Sequence, residues 1–451
     1  MKLIPLLGLA AAFVGGALGS SAFAADSVQL RLEVDRSVLP ARTTDTAIIK
    51  VALDGVKLPR RDVRPPVNLA LVIDRSGSMG GDKIEKAREA ALEAVRQLVA
   101  DDIVSVIAYD SRVETLVPAQ RVGNRRRLEE AIRSLEATGG TALYGGVVRG
   151  ADEVRRFSED GRYVNRVILL SDGQANVGPS SPEELGRLGA SLMREGIAVT
   201  TIGLGLGFNE DLMTRLAQRS DGNTYFVEDS SDLPRIFAAE LGDVLSVVAR
   251  RVVIEIEFPE GVRPLRFVGR DGVIRERKAE LTLSQIYGGQ EKFALIEVEV
   301  AAADAGRERE IARARVSYED ALEQREATLT AVRNVRFSAT AADVVKSANH
   351  QLQADYAANV IALAKDEAIA LVDANRREAA GARLREEAER VAWMGSVYGN
   401  SALQSLAAPA AADAMRVERE GLGNAERKAY RAQSAQTRNQ QSVGSYEAER
   451  R

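Results

Sequence analysis

The hydrophobic pattern changes along the chain and divides it into regions with different predicted folds. Every second residue is apolar over Val28–Val34, the period of a strand with one buried face, and residues 48–53 continue this pattern. Over residues 67–248 apolar runs alternate with amphipathic segments, which predicts a mostly parallel sheet covered by helices on both faces. Strand-like alternation returns after Arg250, and helical spacing of apolar residues dominates from Phe337 onward.

The central region is predicted to contain six strands and six helices in alternation. The predicted strands cover residues 68–74, 103–109, 112–117, 166–171, 198–204 and 224–227. The predicted helices cover residues 83–99, 125–135, 142–157, 182–194, 210–219 and 232–248. The run at 167–170 is apolar throughout, as a strand buried on both faces should be.

These patterns predict an α/β domain inserted into a second fold. The N-terminal strands (25–66, ending in a proline-punctuated linker at 58–66) are too few to bury a sheet alone, so we expect them to pair with five later strands (249–336) in one β-sandwich. The α/β unit (67–248), a doubly wound six-stranded Rossmann-like sheet, lies between them. A C-terminal helical hairpin (337–451) follows, with a polar tail from 427 expected to fray.

Composition and charge remove several classes of function. The 451 residues are 45% hydrophobic, which is ordinary for a folded soluble protein. With 61 basic and 65 acidic side chains the formal charge is −4, which offers no basic surface for nucleic acid. The sequence has no cysteine, which excludes disulfides, thiolate metal sites and cysteine nucleophiles. Its single histidine, His350, lies far along the chain from any candidate serine motif.

The first 24 residues are typical of an export signal. Lys2 supplies the positive end, residues 3–18 are apolar, and Ala22-Phe23-Ala24 gives the small-x-small pattern of a cleavage site. We therefore expect a bacterial protein that is cleaved after residue 24 and is periplasmic or secreted, with no membrane span remaining. The alternative is a retained anchor, since the apolar run is nearly long enough to cross a bilayer.

A strand that runs into Asp74-x-Ser76-x-Ser78 carries the most informative motif. In such a turn the Asp74 carboxylate and the two serine hydroxyls can converge just beyond the carboxyl end of the strand. All are hard oxygen donors, which select magnesium, calcium or manganese over softer metals. The alternative is structural: the serines cap the helix that follows.

Two further segments can complete this cluster. Thr141 follows Gly139-Gly140 at the start of a predicted helix, and Asp172 follows the buried strand at 166–171. Ligands of open α/β sheets bind outside the carboxyl ends of the strands, where the strand order reverses. If Asp74 and Asp172 face one crevice there, their mutual repulsion requires a cation. Thr138 is the competing candidate for the loop ligand, and Thr141 is preferred because it stands directly at the helix start.

Together, Asp74-x-Ser76-x-Ser78, Thr141 after Gly-Gly and Asp172 in Ser-Asp-Gly resemble the metal-ion-dependent adhesion site (MIDAS) of von Willebrand factor type A (VWA) domains. The resemblance covers residues 67–248, and the flanking layout is similar to that of bacterial secreted relatives of the inter-alpha-trypsin inhibitor heavy-chain group. The resemblance implies Mg²⁺ bound directly by the three hydroxyls, with the two aspartates acting directly or through water; Ca²⁺ or Mn²⁺ could replace it. It further implies adhesion without turnover, in which the metal binds an Asp or Glu carboxylate of a partner protein.

Two other functions stay open at this point. The metal could stiffen the loops of an envelope assembly protein whose sandwich or helices make the contacts. It could also serve a metal-assisted hydrolase, but we expect no histidine, cysteine or suitably placed lysine beside the motif, so the chain is predicted not to be an enzyme. Nucleotide binding is not predicted, because residues 203–207 lack the full Gly-x-Gly-x-x-Gly spacing and the sequence has no P-loop.

Overall fold

A computed structural model describes residues 27–58, 64–123, 125–158 and 161–441. The predicted signal segment, most of the predicted linker (59–63) and the last ten residues (442–451) lie outside the described residues. Three N-terminal strands are described: β1 (Val28–Val34), β2 (Val38–Pro40) and β3 (Asp45–Gly55).

The central region alternates strands and helices as predicted. Its strands are β4 (Val67–Asp74), β5 (Ile103–Tyr109), β6 (Val113–Arg121), β7 (Val164–Ser171), β8 (Ile197–Leu204) and β9 (Thr224–Val227). Its helices are α1 (Asp82–Gln97), α2 (Arg125–Arg133), α3 (Leu143–Arg155), α4 (Pro182–Arg194), α5 (Glu210–Arg219) and α6 (Leu233–Val244).

These strands form one doubly wound sheet, which confirms the predicted fold class. The order is β6-β5-β4-β7-β8-β9, and every pair is parallel except β5 and β6. Strands β4 and β7 are buried along their whole length because helices cover both faces. The chain leaves β4 toward one edge of the sheet and returns on its other side at β7. The strand order therefore reverses between β4 and β7, where a ligand crevice is expected.

The last helix of this unit ends earlier than predicted. Helix α6 stops at Val244, whereas the apolar pattern predicts a helix through residue 248. Residues 247–249 instead begin strand β10 (Val247–Glu257), where Val247 pairs with Tyr287 and Ala249 with Ile286. A short apolar run fits either a buried helix or a buried strand. Here, pairing with the neighbouring strand favours the strand.

The strands after α6 build two further sheets with β1, β2 and β3. They are β10, β11 (Val262–Val268), β12 (Val273–Arg275), β13 (Lys278–Tyr287), β14 (Glu291–Val300), β15 (Glu308–Asp320) and β16 (Arg325–Ser338). One sheet has the order β1-β3-β14-β11 and the other β12-β13-β10-β15-β16-β2. Both sheets contribute to one hydrophobic core. Because β3 precedes the α/β unit and its partner β14 follows it, the predicted insertion into a sandwich is confirmed.

Three strands of the sandwich are absent from the sequence prediction. Strands β2 and β12 have only three residues each, too few to show a period. Strand β11 contains Pro264, which weakens a strand pattern, and its pairing with β14 is irregular between Pro264 and Arg266. Its position at the edge of the sheet explains why the proline is tolerated.

The C-terminal region is helical, as predicted, and has more helices than the predicted hairpin. These are α7 (Ala341–Lys346), α8 (His350–Asp373), α9 (Arg377–Tyr398), α10 (Ser401–Glu420) and α11 (Asn424–Arg438). Leu352 and Val360 of α8 pack on Phe293 and Leu295, so the helices cover the outer face of the four-stranded sheet. Across the described ranges, no helix combines the length and the apolar character that a bilayer crossing needs.

The expectation of a frayed tail from residue 427 is wrong for the described residues. Helix α11 continues to Arg438, and Asn439 and Gln441 beyond it are buried. The Gln441 side chain accepts a hydrogen bond from the Thr224 backbone N–H (3.0 Å), and Asn439 donates one to the Gly222 carbonyl (3.0 Å). Their polar side chains satisfy backbone groups at the β9 edge of the α/β sheet, which explains why a polar sequence is ordered there.

A buried polar network joins the α/β unit to the sandwich. The Arg166 guanidinium of β7 is fully buried, donates to Gln285 (2.7 Å) and Tyr287 (2.5 Å) of β13, and lies 3.8 Å from the Glu240 carboxylate of α6. Glu240 is also fully buried and accepts hydrogen bonds from Thr200 (2.5 Å) and others. Arg166 is thus the cation that balances a buried carboxylate at the junction.

Replacing Arg166 should therefore destabilise the whole protein. We expect Arg166→Ala to lower the free energy of unfolding by about 3 kcal/mol, because it leaves the Glu240 charge buried without its counter-charge. The matched control is Arg126→Ala, which removes an exposed ion pair with Glu130 on α2 and should cost about 0.5 kcal/mol or less. Urea unfolding followed by circular dichroism measures both, and equal losses in the two variants would contradict this role.

Candidate functional site

The five predicted site residues lie together at the carboxyl ends of β4 and β7. Asp74 is the last residue of β4, and Ser76 and Ser78 follow in the turn before α1. Thr141 lies just before α3, and Asp172 directly follows β7. Three separate chain segments thus meet at the reversal of strand order.

Three hydroxyl groups converge on one point beside Gly173. A Cβ atom at Gly173 would lie 3.2 Å from Thr141 Oγ1, 3.4 Å from Ser78 Oγ and 3.9 Å from Ser76 Oγ. The Ser76 and Ser78 hydroxyl oxygens are 3.0 Å apart. Any side chain at residue 173 would crowd the three hydroxyls, so glycine keeps this space free.

Asp74 lies behind the hydroxyls and holds the turn in place. Its carboxylate accepts hydrogen bonds from the Ser76 backbone N–H (2.7 Å) and from the Ser171 hydroxyl of β7 (2.6 Å). Burial raises the pKa of the Asp74 carboxyl, the Ser171 and Ser76 hydrogen bonds oppose this shift, and the nearby Asp172 charge adds to it. A buried carboxylate that is oriented by two donors on two chain segments fixes the serine turn relative to β7.

Asp172 is engaged through both of its carboxylate oxygens. Its Oδ1 accepts a hydrogen bond from the Ser78 hydroxyl (2.6 Å). Its Oδ2 accepts one from the Lys83 ammonium of α1, and this ammonium also reaches the Ser78 carbonyl (3.3 Å). The first turn of α1 thus brings a lysine beside the motif, where no lysine placed to act as a base or nucleophile was expected.

The threonine loop brings Thr141, and not Thr138, to the serine hydroxyls. Thr141 is 3% exposed, and its backbone N–H donates to the Asn176 side chain (2.8 Å). Thr138 is exposed, and its backbone N–H donates to the Arg75 carbonyl (2.7 Å). Thr138 thus ties the loop to the first turn, while Thr141 presents a hydroxyl to the cluster.

Three residues at the site were not predicted from the sequence: Ser171, Asn176 and Lys83. Ser171 ends a strand next to a predicted acid, so its position could have indicated a supporting role. A lysine in the first helical turn is disfavoured by the helix dipole, so Lys83 could have indicated a nearby anion. Asn176 gave no signal, because a loop asparagine has many uses.

The donor set fits a hard divalent cation. Within the described residues, no group of three or more histidine, cysteine, aspartate or glutamate side chains could hold a metal ion. The cluster instead offers three neutral hydroxyls with two carboxylates, all oxygen donors of the kind that magnesium, calcium and manganese prefer. A metal here would depend on the hydroxyls as direct ligands, in line with the predicted roles of Ser76, Ser78 and Thr141.

Comparison with known proteins identifies the central unit. Residues 68–239 match the family described as the von Willebrand factor type A domain. The uncharacterized protein sll0103 of Synechocystis sp. is 32% identical over 203 residues, which are 45% of this chain and 47% of that protein. Human inter-alpha-trypsin inhibitor heavy chain H3 is 29% identical over 204 residues, 43% of this chain and 22% of that protein. The match thus spans less than half the length of either relative.

A solved structure resembles nearly the whole chain. The von Willebrand factor type A protein from Catenulispora acidiphila superposes with a TM-score of 0.66, covering 88% of this chain and 97% of that chain at 18% identity. An identity this low shows a shared fold only, but the likeness extends beyond the α/β unit. Residues 68–239 therefore form a von Willebrand factor type A domain, and 204 residues of the chain are similar in sequence to inter-alpha-trypsin inhibitor heavy chain H3.

Proposed function

We propose that this protein binds a partner protein through a divalent cation at the VWA site. Ser76, Ser78 and Thr141 would hold the cation directly, and Asp74 and Asp172 would orient the hydroxyls and balance charge. VWA domains often bind a divalent metal at this position, which supports the proposal. We propose Mg²⁺ as the resident ion, because it accepts a few protein oxygens and completes its coordination with water.

The convergence of three hydroxyls from two loops beside Gly173 carries this proposal. Two of the three residues are held by a neighbour: the Ser78 hydroxyl donates its proton to Asp172, and the Thr141 backbone N–H donates to the Asn176 side chain. A hydroxyl that donates its proton in this way keeps its lone pairs for a cation. Helix capping does not account for this arrangement, because neither serine forms a side-chain cap at the short 3₁₀ helix or at α1.

The bound cation would supply an electrophilic centre for an anionic oxygen. Neutral ligands leave more of its charge uncompensated than carboxylates would, so an incoming Asp or Glu side chain binds strongly. The chain's own residues fix the direction of approach, because Asp74 and Ser171 occupy the buried side of the cluster. The open side, at the end of the sheet, is left for the partner.

We further propose that the site binds without catalysing a reaction and that the protein works outside the cytoplasm. His350 lies at the start of α8, and Lys83 is ion-paired with Asp172. Neither residue offers the base or nucleophile that hydrolysis requires. The apolar segment ending in Ala22-Phe23-Ala24 supports export to the periplasm or the exterior.

The two threonines of the loop provide a matched test of metal binding. We expect one Mg²⁺ site in the wild-type protein and a loss of about tenfold in affinity for Thr141→Ala, because this change removes one direct oxygen ligand. Thr138→Ala changes the same kind of residue three positions earlier and should stay within about twofold. Isothermal titration calorimetry measures all three proteins. An equal effect of both substitutions would contradict the assignment of Thr141.

Metal removal should abolish partner binding. A peptide display library selected on the immobilised protein in Mg²⁺ should yield acidic peptides that EDTA releases, because the ligand carboxylate binds the metal directly. An Asp→Asn or Glu→Gln change in a selected peptide should lower its affinity at least tenfold. The Thr141→Ala protein should retain few of these peptides, whereas Thr138→Ala should retain them. Retention that resists EDTA, or selection without acidic residues, would reject the proposed function.

A further inference from the structure

Lys83 places a second cation on the carboxylate that faces the proposed metal. Its ammonium contacts Asp172 Oδ2 and lies 3.3 Å from the Ser78 carbonyl oxygen. The Asp172 side chain is fully buried, whereas the Lys83 side chain is 36% exposed. The ammonium thus reaches from the solvent side to an acid that is otherwise enclosed.

The position of Lys83 in its helix argues for a role at this site. The first turn of α1 also contains Asp82 and Glu85, which suit the positive end of the helix dipole, whereas a lysine there does not. An unfavourable location needs a local interaction that compensates for it, and Asp172 provides one. The end of the lysine side chain is also near the β8–α5 loop, since a Cβ at Gly205 would stand 3.9 Å from its Nζ.

Asp172 is therefore shared between two partners through its two oxygens. Oδ1 faces the Ser78 hydroxyl, which belongs to the proposed metal ligands, and Oδ2 faces Lys83. An ammonium on one oxygen withdraws negative charge from a cation near the other. It also repels a dication a few ångströms away, an effect that stays appreciable at the dielectric constant of water.

We propose that Lys83 is a positioning residue that holds Asp172 Oδ2 away from the metal and lowers the affinity of the site for it. The inference rests on the proposed metal site and extends it. With Lys83 in place, Asp172 orients the Ser78 hydroxyl. Lys83 prevents Asp172 from coordinating the metal directly and neutralising part of its charge. The cation then binds more weakly but retains more of its charge for a partner carboxylate.

The sign of the effect on metal binding tests this role. We expect Lys83→Met to bind Mg²⁺ and Mn²⁺ about tenfold more tightly than the wild type, measured by calorimetry with the metal alone. Lys83→Arg keeps the charge and should stay within about twofold. Lys86→Met removes a charge from the same helix, where Lys86 pairs with Glu89 at 2.7 Å, and should also change affinity by less than about twofold. A residue that only braced the loop would give weaker binding when removed.

A second measurement tests whether the effect of Lys83 depends on its ion pair with Asp172. In EDTA, the Lys83→Met protein should melt at a lower temperature than the wild type. The same substitution should have little effect on the melting temperature of an Asp172→Asn protein, because the ion pair is already broken there. If the wild type bound metal and the Lys83→Met protein bound it equally or more weakly, the inference would be overturned and the proposed metal site would remain. If neither the wild type nor Lys83→Met bound metal, the proposed function would fall together with the inference. If the Lys83→Met protein bound metal and the wild type did not, this result would support the proposal that Lys83 lowers the metal affinity of the site.

Discussion

The buried carboxylate of Asp74 is the constraint on which the site depends. It ends a strand that is buried along its whole length, and it bonds to one donor on its own turn and to one on the neighbouring strand. This pair of bonds fixes the Ser76 turn against β7, and Gly173 then leaves space in which the hydroxyls meet. Because the strand order reverses here, the segments that follow β4 and β7 lead to helices on opposite faces of the sheet. The fold thus leaves a crevice at this edge of the sheet, and Asp74 fixes the conformation of the Ser76 turn that borders it.

Most of the α/β fold and the site could be predicted from the sequence because its signals are local. The apolar run of β7 and the motif around Asp74 can each be recognised from residues that are adjacent in the sequence. Where the sequence prediction was wrong, long-range contacts decided the outcome. Helix α6 ends at Val244 because residues 247–249 pair with a strand some forty residues later. Asn439 and Gln441 look like a solvated tail, yet they satisfy the backbone of β9 and its turn.

The flanking regions hold the VWA domain at several places. Arg166 and Glu240 connect the sheet and α6 to the sandwich, and β10 follows α6 with almost no linker. On another side, Lys428 of α11 is buried against the Phe208 ring, 4.3 Å from its centroid, and contacts Glu210. Burial lowers the pKa of Lys428 to about 8, the nearby Arg427 charge adds to this shift, and the Asp211 charge opposes it. These contacts reach the β8–α5 loop, whose Gly207 lies close to the Asp172 carbonyl. The sandwich and helices therefore help to position the loops around the site.

For the proposed metal-dependent site, the formal charges favour an acidic partner over a neutral one. At their formal charges, Asp74 and Asp172 contribute two negative charges and Lys83 contributes one positive charge. A dication bound as proposed would leave the cluster with one net positive charge in a largely buried setting. One carboxylate from a partner brings that sum to zero, whereas an amide of the same shape leaves it unchanged. An uncompensated charge is costly where water is excluded. The proposed discrimination between acid and amide would therefore follow from the charge balance of the site as well as from the affinity of a hard metal for anionic oxygen.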